Sequence, residues 1–290
     1  MSARPLILAP LRGVTIRAFR ATFAGPIREA GFTEAMTPFI AATPGYDPLK
    51  DRELKGAAEV PRPDADLALT PQFIGKDPAA LRAALERIRD AGYATADLNC
   101  GCPFPMVRNK GRGSGLLRTP DVLRRLLEVG CATMGDGRFS IKARLGVERP
   151  DELLRLMPLV NEFPLRFLTV HARTARQMYA GACDRAAFDA IVRAARVPVV
   201  ANGDLAPGND APGAAGMMVG RAFIRALGAR DDIGVLLDAY VAASSAELCG
   251  AQPVLGRLKE LLSYWKDTPR WRRRWQVAKM ARSLAELKVW

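Results

Sequence analysis

The residue best suited to chemistry is Cys102, which follows Gly101 and precedes Pro103 just beyond an apolar, strand-like run. A thiol in such a fixed turn can act as a general acid or as a nucleophile, although the spacing alone does not distinguish these roles from a structural thiol. Cys100 completes a C-x-C pair without the second pair of ligands that a structural zinc site needs, so we interpret it as a packing residue. His171 is the only histidine, which excludes metal sites built from several histidines, and no metal is predicted.

Two cations, Lys142 and Arg144, alternate along another apolar run and therefore point to the same side of a strand. Facing an interior, they need an anionic or electron-rich partner, and a reduced flavin, negative near its N1 position, is one. The alternative is a structural salt bridge to a buried acid such as Asp97. His171 ends a further run, shortly before Arg173, and this position favours contact with a ligand over a purely structural role.

Two glycine-containing segments also follow apolar runs: Asn202-Gly203-Asp204 and Gly220-Arg221. Glycine allows the backbone to approach a ligand closely, and Arg221 adds a charged donor at the start of a helical pattern. Together the two segments predict a phosphate site.

These residues are spaced along a recurring pattern of short apolar runs, most of them separated by helical patterns. Near-continuous apolar character is typical of strands buried on both faces of a parallel sheet. Eight runs have it: Leu6–Pro10, Phe32–Met36, Leu69–Gly75, Ala94–Asn99, Phe139–Leu145, Phe167–Ala172, Val197–Asn202 and Gly216–Gly220. Eight such strands predict an α/β fold, the (β/α)₈ TIM barrel, which places functional residues at the carboxyl ends of its strands and commonly binds phosphate after strands seven and eight. A doubly wound sheet is the alternative, but no G-x-G-x-x-G follows the first run.

Three of the intervening helices have clear boundaries in the sequence. Asp77 is expected to cap a helix that Gly92 ends, Thr119-Pro120 opens a helix that is expected to end at Gly130, and Asp184 opens a third. Only eleven residues rich in Gly and Pro separate Asp204 from Gly216, so the seventh helix is predicted to be shortened or missing.

The pattern changes after the eighth run. Helices without intervening strands are predicted at Ile233–Leu248, Pro253–Trp265 and Trp275–Val289. The prediction is therefore a barrel over residues 1–232 and a small all-helical domain over residues 233–290.

Composition and charge restrict the class of protein. The longest apolar runs fall short of the roughly 18 residues of a membrane span, and the chain reaches its first strand too early for a signal peptide, so a cytoplasmic protein without a membrane partner is expected. Five cysteines without a framework-like spacing indicate reduced thiols.

The net charge of +13 favours a polyanionic partner, although a basic protein without a nucleic-acid partner is the alternative. Residues 233–290 carry ten Lys or Arg against five Asp or Glu.

Taken together, the motifs resemble those of the tRNA-dihydrouridine synthase family over most of the chain. They are LAPLRGV (8–14), TPQFIG (70–75), DLNCGCP (97–103), NKGRGSGLL (109–117), IKARLG (141–146), VHARTARQMYAG (170–181), VVANGD (199–204) and MMVGRAF (217–223). DLNCGCP and the later RLKELLSYWK (257–266) are most similar to the bacterial C-type branch, which acts on position 16 of the D-loop.

The resemblance implies an FMN- and NADPH-dependent enzyme that reduces a uridine of tRNA to 5,6-dihydrouridine. NADPH would reduce FMN, hydride would pass to C6 of the uracil, and Cys102 would protonate C5 as the general acid. The FMN contacts that it implies are Pro10, Leu11, Arg12, Gln72, Lys142, His171, Asn202, Gly203, Asp204, Gly220 and Arg221. It places Asn99, Arg144 and Arg173 on the uracil or on neighbouring phosphates.

A uracil inside folded RNA must be turned outward to reach the barrel mouth, so the helical domain is expected to bind tRNA by its shape and phosphates. The candidate contacts are Arg257, Lys259, Lys266 and Arg272-Arg273-Arg274, although an arginine run is as often only a solvated face. A monomer is expected.

The chain departs from the family pattern at three places. Leu11-Arg12 stands where relatives often have Met-Glu or Met-Ala, Thr37 stands where C-type relatives tend to carry a basic residue, and the seventh barrel unit is short. Two alternatives remain at this stage: a flavin barrel that reduces a free pyrimidine-like molecule, and a tRNA-binding homologue without flavin chemistry.

Overall fold

The fold is built on ten parallel strands, as seen in a computed structural model that describes residues 4–54 and 67–287. Most strand residues are buried, as the apolar runs predict. The strands are β1 (Leu6–Leu8), β2 (Glu34–Met36), β3 (Ile40–Ala41), β4 (Ala68–Thr70), β5 (Gln72–Ile74), β6 (Ala96–Cys100), β7 (Phe139–Gly146), β8 (Leu168–Thr174), β9 (Val199–Asn202) and β10 (Gly216–Val219).

The strand order closes into a ring. It runs β3-β5-β6-β7-β8-β9-β10-β1-β2-β4, and its two ends meet because β4 and β5 belong to one segment interrupted only at Pro71. Proline has no amide hydrogen to donate to the sheet, yet the Pro71 carbonyl accepts the Asp97 amide at 3.0 Å, and the Thr70 carbonyl accepts the Thr37 amide at 3.1 Å. The segment of residues 68–74 is therefore a single strand, the third of the barrel, and it pairs with a neighbouring strand on each side. The predicted (β/α)₈ barrel is confirmed, and the doubly wound sheet is wrong.

Helices cover the outside of the barrel and continue beyond its last strand. They are α1 (Arg17–Thr22), α2 (Ala24–Glu29), α3 (Pro78–Asp90), α4 (Pro105–Arg108), α5 (Pro120–Met134), α6 (Glu152–Val160), α7 (Arg185–Ala194), α8 (Arg221–Leu227), α9 (Ile233–Glu247), α10 (Ala251–Ser263), α11 (Pro269–Met280) and α12 (Leu284–Leu287).

The local helix signals are mostly reproduced. The Asp77 carboxylate accepts the Ala79 amide at 2.9 Å at the start of α3, and the Asp184 carboxylate accepts the Ala187 amide at 2.9 Å at the start of α7. The expected end of α5 at Gly130 is wrong, because the helix continues to Met134.

Three features of the remaining elements bear on the predictions. Residues 203–215, between β9 and β10, contain no helix. The helix expected from Trp275 begins earlier, at Pro269, and is followed by the separate α12, while the last residues of that expected segment lie outside the described range. Within residues 4–54 and 67–287, no helix has both the length and the apolar character needed to cross a membrane.

The C-terminal helices pack directly against the barrel. Trp265 and Trp271 are buried, with ring centroids 4.7 Å apart, and their indole N–H groups donate to the carbonyls of Ile224 at 2.6 Å and Gly228 at 2.7 Å. The same hydrophobic cluster includes Phe19 of α1. Buried aromatic side chains with satisfied N–H groups make a stable junction, so these helices occupy a fixed place beside the strand ends.

Candidate functional site

A cavity of about 600 Å³ opens at the carboxyl ends of the barrel strands, within the usual size range of small-molecule sites. Most residues that the sequence singled out line it. These are Pro10, Leu11, Arg12, Asn99, Cys102, Lys142, Arg144, His171, Asn202, Gly203, Asp204, Gly220 and Arg221. The barrel therefore gathers side chains that lie far apart in the sequence.

The other candidates lie outside the cavity lining. Gln72 is fully buried beneath it, and Arg173 is buried behind it. Arg257 forms an ion pair with Glu260 one turn along α10, at 3.5 Å. The Lys259 ammonium donates to the backbone carbonyls of Lys279, at 3.1 Å, and of Ala281, and so it caps the end of α11.

Cys102 lies in a tightly packed turn directly after β6. The side-chain oxygen of Asn99 accepts the Cys102 amide at 2.8 Å, and the Cys102 carbonyl accepts the Ser114 hydroxyl at 2.9 Å. Gly113 has φ +57°, and a Cβ there would lie 2.7 Å from the Cys102 Cβ, so the glycine-rich segment can cover the turn only with glycine at this position.

The Cys102 thiol is only 6% exposed, and this burial raises its pKa against the opposing effects of the Phe104 amide and of nearby cations, with Arg12 first among them. Because the shift is upward, the thiol keeps its proton at neutral pH. It is therefore suited to donate a proton.

The two cations of β7 are held differently. Arg144 is buried and donates to the carbonyls of Gly101 at 3.0 Å, Thr174 at 3.0 Å and Met178 at 2.7 Å. Within the described residues, the Lys142 ammonium has no hydrogen bond or ion pair, and it makes no salt bridge to Asp97. Burial, and then the charge of Arg144, lower the pKa of Lys142 to about 8. An unpaired ammonium in this setting favours an anionic ligand in the cavity.

A second polar cluster lies at the ends of β8 and β9. Arg173 forms an ion pair with Asp204 and contacts the His171 ring nitrogen at 3.2 Å, while Arg221 reaches Asp204 at 3.3 Å. Burial, followed by the surrounding cations, of which Lys142 is the strongest, lowers the pKa of His171, so its imidazole stays neutral. Arg173 thus holds Asp204 and His171 in place from behind the cavity.

Several lining residues were not found from the sequence: Phe39, Phe104, Tyr179, Arg225, Glu260 and Tyr264. Tyr179 is 45% exposed, and its ring lies 4.5 Å from the Arg221 guanidinium carbon and 5.3 Å from that of Arg144. Tyr179 closely follows β8, the strand that carries His171, and this position in the sequence could have identified it as a site residue. Glu260 and Tyr264 come from α10 and its C-terminal end, and no local pattern shows that this helix reaches the barrel mouth.

Comparisons with known proteins agree with this architecture. A family model described as "Dihydrouridine synthase (Dus)" matches residues 7–226. The chain is 32% identical over 225 residues to a probable tRNA-dihydrouridine synthase of Rhodobacter capsulatus, covering 75% of this chain and 67% of the relative. It is 30% identical over 201 residues to tRNA-dihydrouridine synthase B of Pseudomonas aeruginosa, covering 69% and 58%.

Solved structures share the barrel at low identity. The old yellow enzyme from Trypanosoma cruzi has a TM-score of 0.58 at 9% identity, covering 78% of this chain and 86% of that one. Morphinone reductase has a TM-score of 0.56 at 12% identity, covering 76% and 83%. These two likenesses concern the fold, whereas the family match runs through all the barrel strands and most of α8. The chain belongs to the dihydrouridine synthase family.

Proposed function

We propose that this protein is a tRNA-dihydrouridine synthase that binds FMN, uses NADPH as reductant and reduces a uridine of the D-loop. One observation carries the proposal: in a chain of this family, a protonated thiol and an unpaired ammonium face the same cavity at the barrel mouth. Position 16 is part of the proposal and rests on the C-type motifs alone, since the relatives above include a B-type synthase.

The residues present fit a flavin. Lys142 offers a positive charge without a protein partner to the electron-rich part of the ring. Gly220 lines the cavity with backbone alone, and a Cβ there would crowd the Ala9 Cβ at 3.0 Å. Arg221 and the Asn202–Asp204 segment lie on the same side of the cavity and supply donors for a phosphate. Gln72 has no place in the cavity lining, so its proposed role toward FMN is indirect.

When bound, FMN supplies the hydride that C6 of the uracil accepts. The protein must then deliver a proton to C5, and Cys102 holds that proton at neutral pH. Arg144, fixed by three carbonyls, keeps a positive charge beside Cys102 and stabilises negative charge that develops on the pyrimidine. The proton and the hydride together complete the reduction of the C5–C6 double bond.

The cavity mouth offers surfaces for a base turned out of folded RNA. Tyr179 is half exposed, and Tyr264 approaches from the end of α10, so both side chains lie where a base that enters the mouth can contact them. Arg272 and Arg273 on α11 are exposed and remain candidate phosphate contacts, while Lys259 is already engaged in capping that helix. We propose that residues 233–290 form the tRNA-binding domain of a monomeric, cytoplasmic enzyme.

A Cys102→Ala variant tests the mechanism, with Cys131→Ala as control because Cys131 is equally buried but lies on α5. Both proteins are incubated with unmodified tRNA, FMN and NADPH, and dihydrouridine is quantified and located by mass spectrometry. We expect Cys102→Ala to lose at least about a hundredfold in turnover while retaining FMN, and Cys131→Ala to keep both.

Three results would contradict parts of the proposal. Undiminished turnover in Cys102→Ala would remove that thiol from the proton-donor role. Activity on free uracil but not on tRNA would favour a small-molecule reductase. A protein that takes up no flavin would be a tRNA-binding homologue only.

A further inference from the structure

A line of buried hydrogen bonds begins in the barrel interior at Asp97. One carboxylate oxygen accepts the Ser140 hydroxyl at 2.7 Å, and the other accepts the Gln72 amide nitrogen at 2.8 Å. Asp97 and Gln72 are both fully buried. A carboxylate in this setting needs donors on both oxygens, and these two bonds provide them.

The line continues from Gln72 to the turn that carries Cys102. The side-chain nitrogen of Asn99 donates to the Gln72 oxygen at 2.8 Å. The Asn99 oxygen then accepts the backbone amides of Gly101 at 3.0 Å and Cys102 at 2.8 Å. The amide side chains of Gln72 and Asn99 therefore connect a buried charge to the backbone of the turn.

The direction of every bond follows from the charge on Asp97. A carboxylate only accepts, so Gln72 must present its nitrogen to Asp97 and its oxygen to Asn99. Asn99 must then present its nitrogen to Gln72 and its oxygen to the turn. If either amide were reversed, two donors or two acceptors would face each other in a buried site.

We propose that Asp97 is a positioning residue whose negative charge sets the orientation of Gln72 and Asn99 and thereby fixes the turn that holds Cys102. The assignment of Cys102 as proton donor rests on the proposed function, but the hydrogen-bond line itself does not.

The charge on Asp97 responds to pH near neutrality. Burial raises its pKa to about 7, opposed by the bonds from Ser140 and Gln72 and by the charge of Lys142, and assisted by the charge of Glu34. The neighbouring Cys100 thiol stays protonated and adds no charge, since burial raises its pKa. Asp97 therefore loses its charge as the pH falls through about 7. Its protonated oxygen can then donate to the Gln72 oxygen, and this bond competes with the Asn99 bond on which the orientation of the turn depends.

Hydrogen–deuterium exchange of the Gly101 and Cys102 amides reads out the end of the line directly. In the wild-type protein we expect protection of these amides to rise by about tenfold as the pH increases from 6 to 8, after correction for intrinsic exchange. The full chain is used, with the peptide that covers residues 96–104 resolved by mass spectrometry.

The Asn99→Asp variant should invert this pH profile. Two carboxylates would then flank the single Gln72 amide, which has only one NH₂ end, so the line would be satisfied only while one of the two carboxyl groups carries a proton. Protection should therefore fall as the pH rises.

The double variant Asp97→Asn/Asn99→Asp restores one carboxylate and reverses the two bonds that Gln72 makes to positions 97 and 99. The amide introduced at position 97 can donate to the Gln72 oxygen, the Gln72 nitrogen can donate to the carboxylate introduced at position 99, and that carboxylate can accept both turn amides. We expect protection near the wild-type maximum with no dependence on pH between 6 and 8. Additive effects of the two substitutions, or three parallel pH profiles, would overturn the proposal.

A milder pair keeps the proposal testable if Asn99→Asp does not fold. Ser140→Ala removes one donor to Asp97 and should move the midpoint of the protection profile to higher pH. Thr169→Val also removes a buried hydroxyl from a barrel strand, but Thr169 has no hydrogen-bond partner within the described residues, so the midpoint should not move. An unmoved midpoint in Ser140→Ala would refute the role of Asp97.

The same samples separate the two proposals. If wild-type protein makes dihydrouridine but the exchange profiles are parallel, the positioning role fails and the proposed function stands. If the profiles invert as expected but no dihydrouridine forms, the line is real and the proposed function fails.

Discussion

At the scale of single residues, the two cations of β7 divide two tasks between them. Arg144 is occupied by three backbone carbonyls and keeps a fixed charge near Cys102. Lys142 has no partner in the described part of the chain, and it remains charged only below its lowered pKa of about 8. Of the two cations of β7, one is therefore permanently charged and the other titrates close to neutral pH.

The titration of Lys142 predicts pH-dependent flavin binding. The lysine is charged at pH 7 and mostly neutral at pH 9, so we expect the affinity of the flavin-free protein for FMN to fall by about tenfold across this range. The sign follows from the direction of the shift: burial lowers the pKa, and the charged form that attracts the flavin is lost as the pH rises. Fluorescence quenching of FMN at each pH measures the dissociation constant.

Lys142→Arg is the matched control, because a guanidinium stays protonated throughout that range. Its affinity for FMN should be nearly independent of pH, although the larger side chain can lower it uniformly. A wild-type profile as flat as that of the arginine variant would show that Lys142 does not contact the flavin or that its pKa is not lowered.

At the scale of secondary-structure elements, the site depends on how α10 docks against the loop after β1. Gly13 lies in that loop with φ +86°, and a Cβ there would overlap the Arg257 guanidinium and the Glu260 carboxylate. Glu260 of the same helix and Tyr264 at its end line the cavity. The ends of these two α10 side chains therefore lie directly against the loop at the barrel mouth.

Three glycine substitutions separate backbone strain from this contact. Gly31→Ala adds the same strain at φ +81° with nothing within 4 Å, and should lower the free energy of unfolding by about 1 kcal/mol. Gly13→Ala should lower it somewhat more, by about 2 kcal/mol, because the ion-paired ends of Arg257 and Glu260 must also shift. Gly256→Ala, within α10 and also in open space, should be neutral or stabilising. Urea titrations measure all three, and equal losses for Gly13→Ala and Gly31→Ala would show that the two α10 side chains move aside without cost.

The elements also show which features the sequence can predict. The eight apolar runs and the caps at Asp77 and Asp184 are local signals, and the structure reproduces them. The end of α5 was missed because Gly130 is not a terminator here: a Cβ at this position would overlap the Phe139 ring, so the glycine serves helix-to-strand packing.

Long-range contacts account for the rest of what was missed. Pro71 divides the third strand into β4 and β5 without opening the barrel, because β4 pairs with β2, while β5 pairs with β3 on one side and with β6 on the other. Gln72 is predicted as an FMN contact, and its hydrogen bonds to Asp97 and Asn99 hold its amide fully buried, outside the cavity lining. Local sequence patterns do not predict such placements, because these depend on tertiary contacts.

At the scale of the whole molecule, the effect of the position of positive charge on tRNA binding can be separated from the effect of its total of +13. Arg225 is exposed at the cavity mouth and makes no ion pair within the described residues. Arg196 is equally exposed but lies just before β9, at the amino end of the barrel and away from the cavity. Replacing either one lowers the net charge by the same single unit.

This pair predicts a difference in the salt dependence of tRNA binding. If tRNA phosphates lie against the mouth, Arg225→Gln should weaken binding and reduce the slope of log affinity against log salt concentration by about 1. Arg196→Gln should leave the slope unchanged, because its charge neutralises no phosphate. Filter binding of unmodified tRNA at several salt concentrations gives both slopes. Equal reductions for the two variants would mean that only the long-range field of the protein attracts tRNA, and unchanged slopes for both would place the RNA on a surface other than the mouth.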